Sequence, residues 1–443
     1  MPVSSSLDRP ILRLALPSLI ASLSVPLIGI ADTALVGHLP EVALMGAVSV
    51  ASVIFDVLYW GFGFFRMGTT SLVAQYFGSG DREASARVLM QSMWVAVGIG
   101  VGLILLHRTI ADLGFAAASP GDEVELWGRR YFAIRILGAP FVLVTYVLIG
   151  FFRGCADAVS PLWMTLAINV VNLTGDVALI HGVWGAPRMG VEGAACASVL
   201  ANVAGALLGA VILAGRYRAY LKLRGALDLS NARRLIATNF HLFGRTLCLL
   251  FAQFYLLRTV SGLGEVALAA HAVLWQVWSL VSYGVDGFAH AAETLVGNAL
   301  GSRKAAEAVA LARRCMVWGV ALGGLCGVVF YFGLADIGAL FTDHVDVVAQ
   351  VASLAVLLSL TQPINGLVYV LDGVLIGAND VGYLFVAMVA VAFGVFLPTV
   401  TWIGPVWPGL WGAWTAYSVL MVGRFFVLYG RFRGRRWVRF LAT

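Results

Sequence analysis

The sequence predicts an all-α, polytopic membrane protein with twelve transmembrane helices in two pseudo-symmetric six-helix lobes. Three observations support this fold class: the composition, a series of long apolar segments and an internal repeat. Of the 443 residues, 60% are hydrophobic and only 12% are charged. Soluble domains contain about 45–50% apolar and about 25% charged residues. The composition therefore excludes a soluble enzyme, a disordered chain and a secreted disulfide-rich domain.

Long apolar segments follow one another along the whole chain. A membrane-spanning helix needs about 20 apolar residues, whereas a β-barrel would alternate polar and apolar residues. Pro405 and Pro408 mark a turn that divides the uncharged stretch 381–423 into two spans. Twelve spans result, at 14–31, 43–77, 88–106, 136–152, 161–180, 193–214, 235–257, 266–300, 315–335, 347–376, 382–403 and 409–428.

Basic residues cluster in short segments between the apolar runs, around 216–234, 303–314 and 431–439. Cytoplasmic loops of membrane proteins carry an excess of Lys and Arg. We therefore expect a multi-pass protein of a bacterial-type cytoplasmic (inner) membrane with both termini in the cytoplasm. The net charge of +6 then reflects topology, and no nucleic-acid partner is expected. The five cysteines lack CxxC spacing and predict neither a metal site nor a disulfide framework.

The two halves of the chain resemble each other at an offset of 223–224 residues. An even number of helices per repeat gives two parallel lobes, and transporters built in this way move their halves about a central cavity. The sequence therefore predicts a transporter and not an enzyme. The predicted domains are an amino-terminal lobe (1–214), a cytoplasmic linker (215–234), a carboxyl-terminal lobe (235–430) and a basic cytoplasmic tail (431–443). Matched residues include Gly150, Gly154 and Asp157 with Gly373, Gly377 and Asp380.

A few polar residues in the first and fifth spans are candidates for ion coupling, because charges inside a membrane are costly and mark functional sites by default. Asp32 shares the first span with Pro17 and Pro26, and a proline can bend a helix. Asn172 and Asp176 are spaced i, i+4 and face the same side of the fifth span. We expect a buried proton site here, because desolvation makes a carboxyl group easier to protonate. The alternative is a hydrogen-bond network that only holds the helices together.

Three further acids, Asp286, Glu293 and Asp372, lie in the carboxyl half. The repeat places Leu256 opposite Asp32 and no acid opposite Asp176, so the amino-half set is unique and favours ion coupling there. The carboxyl-half acids are candidates for binding a cationic substrate, for a second proton step or for gating. The alternative for these acids is buried pairing with an arginine, either Arg66 or Arg245.

Several long motifs resemble the multidrug and toxic compound extrusion (MATE) family, most closely its DinF-like bacterial branch. They are Asp32-Thr-Ala-Leu-Val-Gly-His38, Gly61-Phe-Gly-Phe-Phe-Arg-Met-Gly-Thr-Thr70 and Asp286-Gly-Phe-Ala-His-Ala-Ala-Glu293. The resemblance extends from about residue 9 to residue 430. It implies a V-shaped pair of six-helix lobes that exports lipophilic, often cationic organic compounds. Export in this family is driven by the influx of protons or sodium.

The resemblance also implies roles for individual residues. Asp32 matches the central coupling residue, and Asn172 and Asp176 match the pair that accompanies it. Ser198 matches a hydroxyl on the sixth helix, where the family usually has Thr, and Pro17 matches a proline implicated in bending. The NorM-like branch carries an acid on the seventh helix, but this chain offers Gln253 there and no carboxylate, which favours protons as the coupling ion.

The predicted function is therefore a proton-coupled antiporter that exports drugs and related organic compounds by alternating access. Small organic molecules and the lipid bilayer are the expected partners, the expected state is a monomer, and no cofactor or metal is expected besides the coupling ion. One alternative is a sodium-coupled MATE transporter with sodium at Asp32, Asn172 and Asp176. Another is a lipid or lipid-linked sugar flippase of the same superfamily. A major-facilitator carrier is disfavoured, because its basic loop motif is absent from residues 78–87.

Overall fold

The computed structural model describes residues 4–37, 42–222, 232–407 and 409–438, and within these ranges all regular structure is helical. The twelve-helix prediction is confirmed, since each predicted span overlaps one long helix. These helices are α1 (Ser4–Gly37), α2 (Ala43–Ser79), α3 (Arg82–Leu105), α4 (Asp122–Gly154), α5 (Val159–His181), α6 (Val191–Arg216), α7 (Ala232–Ser261), α8 (Glu265–Gly301), α9 (Ala305–Ala339), α10 (Ala355–Gly377), α11 (Val381–Trp402) and α12 (Leu410–Arg433).

Among the described residues, ten of these helices are long and apolar enough to cross a membrane. The other two are α1, part of which lacks described side chains, and α12, whose apolar stretch contains Trp, Tyr, Gly and Arg424. Three helices contain an irregular turn: α2 at Phe62 and Gly63, α4 at Ile136–Gly138 and α11 at Ala392–Phe396. Breaks of this kind bend long helices. Short helices at His107–Ala118, Arg218–Leu221 and Val345–Ser353 lie in connecting segments.

The chain divides into two compact units. One contains residues 20–77 and 81–236, and the other contains residues 1–19, 78–80 and 237–443. The main division at residue 236 lies close to the end of the predicted linker, 215–234, whereas the predicted lobe boundaries stay a prediction. The first half of α1 is grouped with the carboxyl-terminal half of the chain.

Glycines allow the helices of the carboxyl-terminal unit to pack closely. Gly319, Gly323 and Gly327 are spaced four apart on α9, and a Cβ on each would lie 2.4–2.7 Å from a backbone oxygen of α10. Gly373 and Gly377 on α10 likewise leave room for backbone oxygens of α8. Small residues at helix interfaces are typical of membrane bundles, because they let backbones approach. On these closely packed helices, Ser282 of α8 and the Tyr369 hydroxyl of α10 form a hydrogen bond.

Candidate functional site

Asn172 and Asp176 on α5 form a buried hydrogen-bonded pair. The Asn172 Nδ2 donates to Asp176 Oδ2 at 3.1 Å, and the two residues are 7% and 2% exposed. The i, i+4 spacing therefore places both side chains together, as the sequence predicts. An amide beside a carboxyl group in an apolar environment can stabilise the ionised acid by donation and the protonated acid by acceptance.

The sixth-helix residue Ser198 lies on α6, which packs against α5. Gly175, next to Asp176, would place a Cβ 2.9 Å from the Cβ of Ala197, next to Ser198. Ser198 is half-buried, and its backbone oxygen accepts a hydrogen bond from Asn202 Nδ2 at 2.7 Å. The structure thus places the predicted α5 and α6 residues on neighbouring helices.

The remaining members of the predicted amino-lobe site lie on α1. Helix α1 is continuous through Pro17, Pro26 and Asp32. The side chains of Pro26 and Asp32 lie outside the described residues, and Pro17 is half-buried. The structure therefore unites Asn172 with Asp176, and the roles of Asp32 and the two prolines stay predictions.

Asp372 on α10 binds two arginines. Its Oδ2 accepts hydrogen bonds from Arg245 on α7 and Arg424 on α12, and all three side chains are at least 92% buried. Within the described part of the chain, Asp372 Oδ1 and Arg245 Nε have no hydrogen-bond partner. Pairing with Arg245 was one alternative left open by the sequence. The second arginine, Arg424, was missed, although an Arg inside the twelfth apolar run signals a buried partner.

A cavity of about 10 Å³ lies beside this ion-pair cluster. Asp372 and Arg424 line it together with apolar residues of α11 and α12, among them Leu384, Met388 and Val427. A space of this size holds about one water molecule. The carboxyl-terminal unit therefore surrounds Asp372 with fixed positive charge and leaves little room for a larger ligand there.

The other two carboxyl-half acids lie on α8. Glu293 Oε2 is 3.6 Å from His290 Nδ1, and both residues are buried. Asp286 is half-buried, one turn beyond Ser282, whose hydroxyl donates to the Tyr369 hydroxyl at 2.9 Å. The spacing of these α8 residues places them on one face of the helix. Their roles in substrate binding, proton transfer or gating stay predictions.

Twelve long helices, ten of them apolar enough to cross a membrane among the described residues, two related halves and charged side chains buried between helices are typical of a multi-pass membrane transporter. The chain belongs to the MatE family, whose sequence model matches residues 17–177 and 242–401. The second match begins 225 residues after the first (17 to 242), close to the offset of 223–224 residues between the two halves. The resemblance inferred from the motifs is therefore confirmed, and the protein is a MATE transporter.

Known proteins similar to this chain agree with the assignment. The DNA damage-inducible protein F of Escherichia coli (strain K12) is 32% identical over 94% of this chain and 90% of its own length. A probable multidrug resistance protein NorM of Bradyrhizobium diazoefficiens is 29% identical over 96% of this chain and 94% of its own length. A solved outward-facing multidrug resistance MATE family transporter superposes with a TM-score of 0.86 at 19% identity, covering 97% of this chain and 96% of that one. That similarity supports the fold.

Proposed function

We propose that the protein is a proton-coupled antiporter that exports lipophilic, often cationic organic compounds across a bacterial-type inner membrane, with both termini cytoplasmic. The buried Asn172–Asp176 pair is the observation that supports this function most directly. Asp372, by contrast, is bound by Arg245 and Arg424, so its negative charge is already compensated. We therefore assign coupling to Asp32, Asn172, Asp176 and Ser198 in the amino half, and not to the carboxyl-half acids.

The proposed cycle depends on the change of charge at the coupling acids. An ionised Asp176 accepts a charge-assisted hydrogen bond from Asn172, and protonation weakens that bond. Protonation of Asp32 removes a second charge, after which α1 bends near Pro17 or Pro26. In this cycle the substrate occupies a cavity in the amino-terminal lobe, which shrinks as α1 bends and releases the substrate outward. Deprotonation towards the cytoplasm resets the site.

Efflux of a cationic dye from proteoliposomes under an imposed proton gradient tests this proposal. We expect Asp32→Asn to abolish efflux, because the residue no longer exchanges a proton. Asp176→Asn should leave slower efflux with an altered pH profile, since one titrating group of the pair is lost. Asp343→Asn is the matched control, because Asp343 is exposed in a connecting segment. Wild-type efflux by Asp32→Asn would refute proton coupling at this residue.

The same assay separates the alternative functions. Efflux that responds to a sodium gradient and not to a proton gradient would show that this MATE transporter is coupled to sodium. Gradient-independent movement of a fluorescent lipid, with no dye efflux, would instead support a flippase. Each variant is purified by size exclusion and reconstituted in the same way as the wild type, so that a misfolded variant is recognised before its efflux is measured.

A further inference from the structure

The first turns of α1 hold an acid that is bound on both carboxylate oxygens. Arg314 on α9 donates to Asp8 through Nε at 2.6 Å to Oδ1 and through Nη2 at 2.7 Å to Oδ2. Trp318 Nε1 adds a third hydrogen bond, at 2.9 Å to Oδ1. A bidentate guanidinium–carboxylate pair is strong and geometrically specific. Arg314 and Trp318 together lower the pKa of Asp8 to about 2, so Asp8 is ionised throughout the physiological range.

The partners of Asp8 are themselves held in position. Arg314 and Trp318 are four residues apart and therefore lie on the same side of α9. The Trp318 ring stacks on Phe288 of α8 with centres 5.7 Å apart and an interplanar angle of 3°. Phe288 is buried. Two helices of the carboxyl-terminal unit thus build the binding site for the Asp8 side chain.

Helix α1 continues this contact along one face. Ile11 and Ala15 are fully buried, three and seven residues beyond Asp8, and so lie on the same side of the helix as Asp8. At the adjacent position of α8, a Cβ on Gly287 would lie 2.8 Å from the Ala15 backbone oxygen and 2.9 Å from the Leu19 Cβ. The glycine therefore permits close packing of the first half of α1 on α8.

The division between the two compact units falls inside α1. Residues 1–19 belong to the carboxyl-terminal unit, and the chain enters the other unit at Ile20. Pro17 lies at this division, within a helix that continues to Gly37. Because proline lacks an N–H and crowds the preceding turn, the backbone hydrogen bonding of the helix is interrupted at this point.

We propose that Asp8, Arg314 and Trp318 are positioning residues of the transport cycle, which hold the first half of α1 as a fixed part of the carboxyl-terminal unit. This inference rests on the proposed function, in which bending of α1 accompanies coupling. With its first half held by these residues and by Gly287, α1 bends near Pro17 or Pro26 and does not detach as a whole. The residues act through the helix and do not contact substrate.

Charge-neutralising variants test the proposal in the dye-efflux assay. We expect Asp8→Asn and Arg314→Gln each to slow efflux roughly two- to fivefold, the range for partly exposed ion pairs. The pH profile should keep its wild-type shape, because the pKa of Asp8 lies far below the assay range. Arg313→Gln is the matched control, since Arg313 is the exposed neighbour of Arg314. The exchanged pair Asp8→Arg with Arg314→Asp should recover part of the rate.

Wild-type rates in both single variants would overturn the inference, as would a shifted pH profile, which would make Asp8 a proton site. If the Asp8 variants have wild-type efflux rates and Asp32→Asn is inactive, only the role proposed for Asp8 is wrong. Wild-type efflux by Asp32→Asn would instead remove the proposed coupling, whatever the Asp8 variants do. The two failures are therefore distinguishable.

Reversible cross-linking decides whether the contact stays closed during transport. In a background without the five native cysteines, Asp8→Cys and Arg314→Cys are joined by a short bifunctional methanethiosulfonate reagent. We expect efflux to rise on cross-linking and to fall again on reduction, in the same protein molecules. Arrest of efflux by the cross-link would overturn the proposal, because it would show that the contact must open in each cycle.

Discussion

At the scale of single residues, the environment of Asp372 shows how partners decide the role of a buried acid. Two guanidinium groups, Arg245 on α7 and Arg424 on α12, donate to the same carboxylate oxygen. Arg424 also lies 6.0 Å from the centre of the Tyr369 ring. A buried acid that is paired with two arginines has little affinity for a further cation, and its loss leaves two buried guanidinium groups without a counter-ion.

Removing this acid should destabilise the protein strongly. Asp372→Asn leaves Arg245 and Arg424 buried without their shared counter-ion, and breaking a buried ion pair typically costs about 3–5 kcal/mol. We expect a clear loss of thermal stability in detergent, measured from the unfolding midpoint, with Asp343→Asn unchanged. Near-wild-type stability together with loss of transport would contradict this interpretation and return Asp372 to the substrate or coupling site.

At the scale of helices, the approach of α8 to α10 depends on two glycines one turn apart. A Cβ on Gly373 or Gly377 would lie 2.2 Å from the backbone oxygen of Ala289 or Glu293. In the other unit, a Cβ on the repeat-equivalent Gly150 would lie 2.6 Å from the Arg66 backbone oxygen. Both halves therefore use the same small residue to bring corresponding helices together.

A single methyl group at this interface should separate the helices. We expect Gly373→Ala to lower the free energy of unfolding by about 2 kcal/mol, the usual cost of overpacking. Gly324→Ala on α9 is the matched control, because a Cβ there meets nothing within 4 Å. The measurement is the denaturation midpoint of both variants under the same detergent conditions. Equal stability of the two variants would mean that α8 and α10 accommodate the added methyl group without loss of packing energy.

At the scale of the whole molecule, the repeat conserves an aspartate and changes its partners. Asp157 accepts from the backbone N–H groups of Val159 and Ser160 and from Arg216 and Tyr217. The equivalent Asp380 accepts two hydrogen bonds from Arg431, at 2.7 Å from Nε and 3.0 Å from Nη2. Each aspartate lies between two spans and is bound by an arginine at the end of the last helix of its half.

The two aspartates should differ in their importance for stability. Arg431 is 11% exposed, whereas Arg216 is 62% exposed and can turn into water when its partner is neutralised. We therefore expect Asp380→Asn to cost about 2 kcal/mol and Asp157→Asn about 1 kcal/mol, in line with hydrogen bonds to charged groups. Thermal unfolding of the two variants side by side checks the order. The reverse order would show that the backbone hydrogen bonds of Asp157 dominate.

The sequence by itself determined the membrane class, the twelve helices, the repeat and the Asn172–Asp176 pair. Each of these follows from composition or from spacing within one helix, where 3.6 residues per turn set which side chains meet. The family motifs are likewise continuous stretches of chain.

Only the tertiary structure decided which helix faces meet. Arg424 reaches Asp372 across 52 residues, Arg314 reaches Asp8 across 306, and residues 1–19 join the carboxyl-terminal unit. No periodicity within a helix encodes such partners, because they depend on how closely glycine-lined helices pack and on their rotation about their own axes. The physical reason is that spacing along a helix is local, whereas the choice of a buried counter-ion is made by packing between helices.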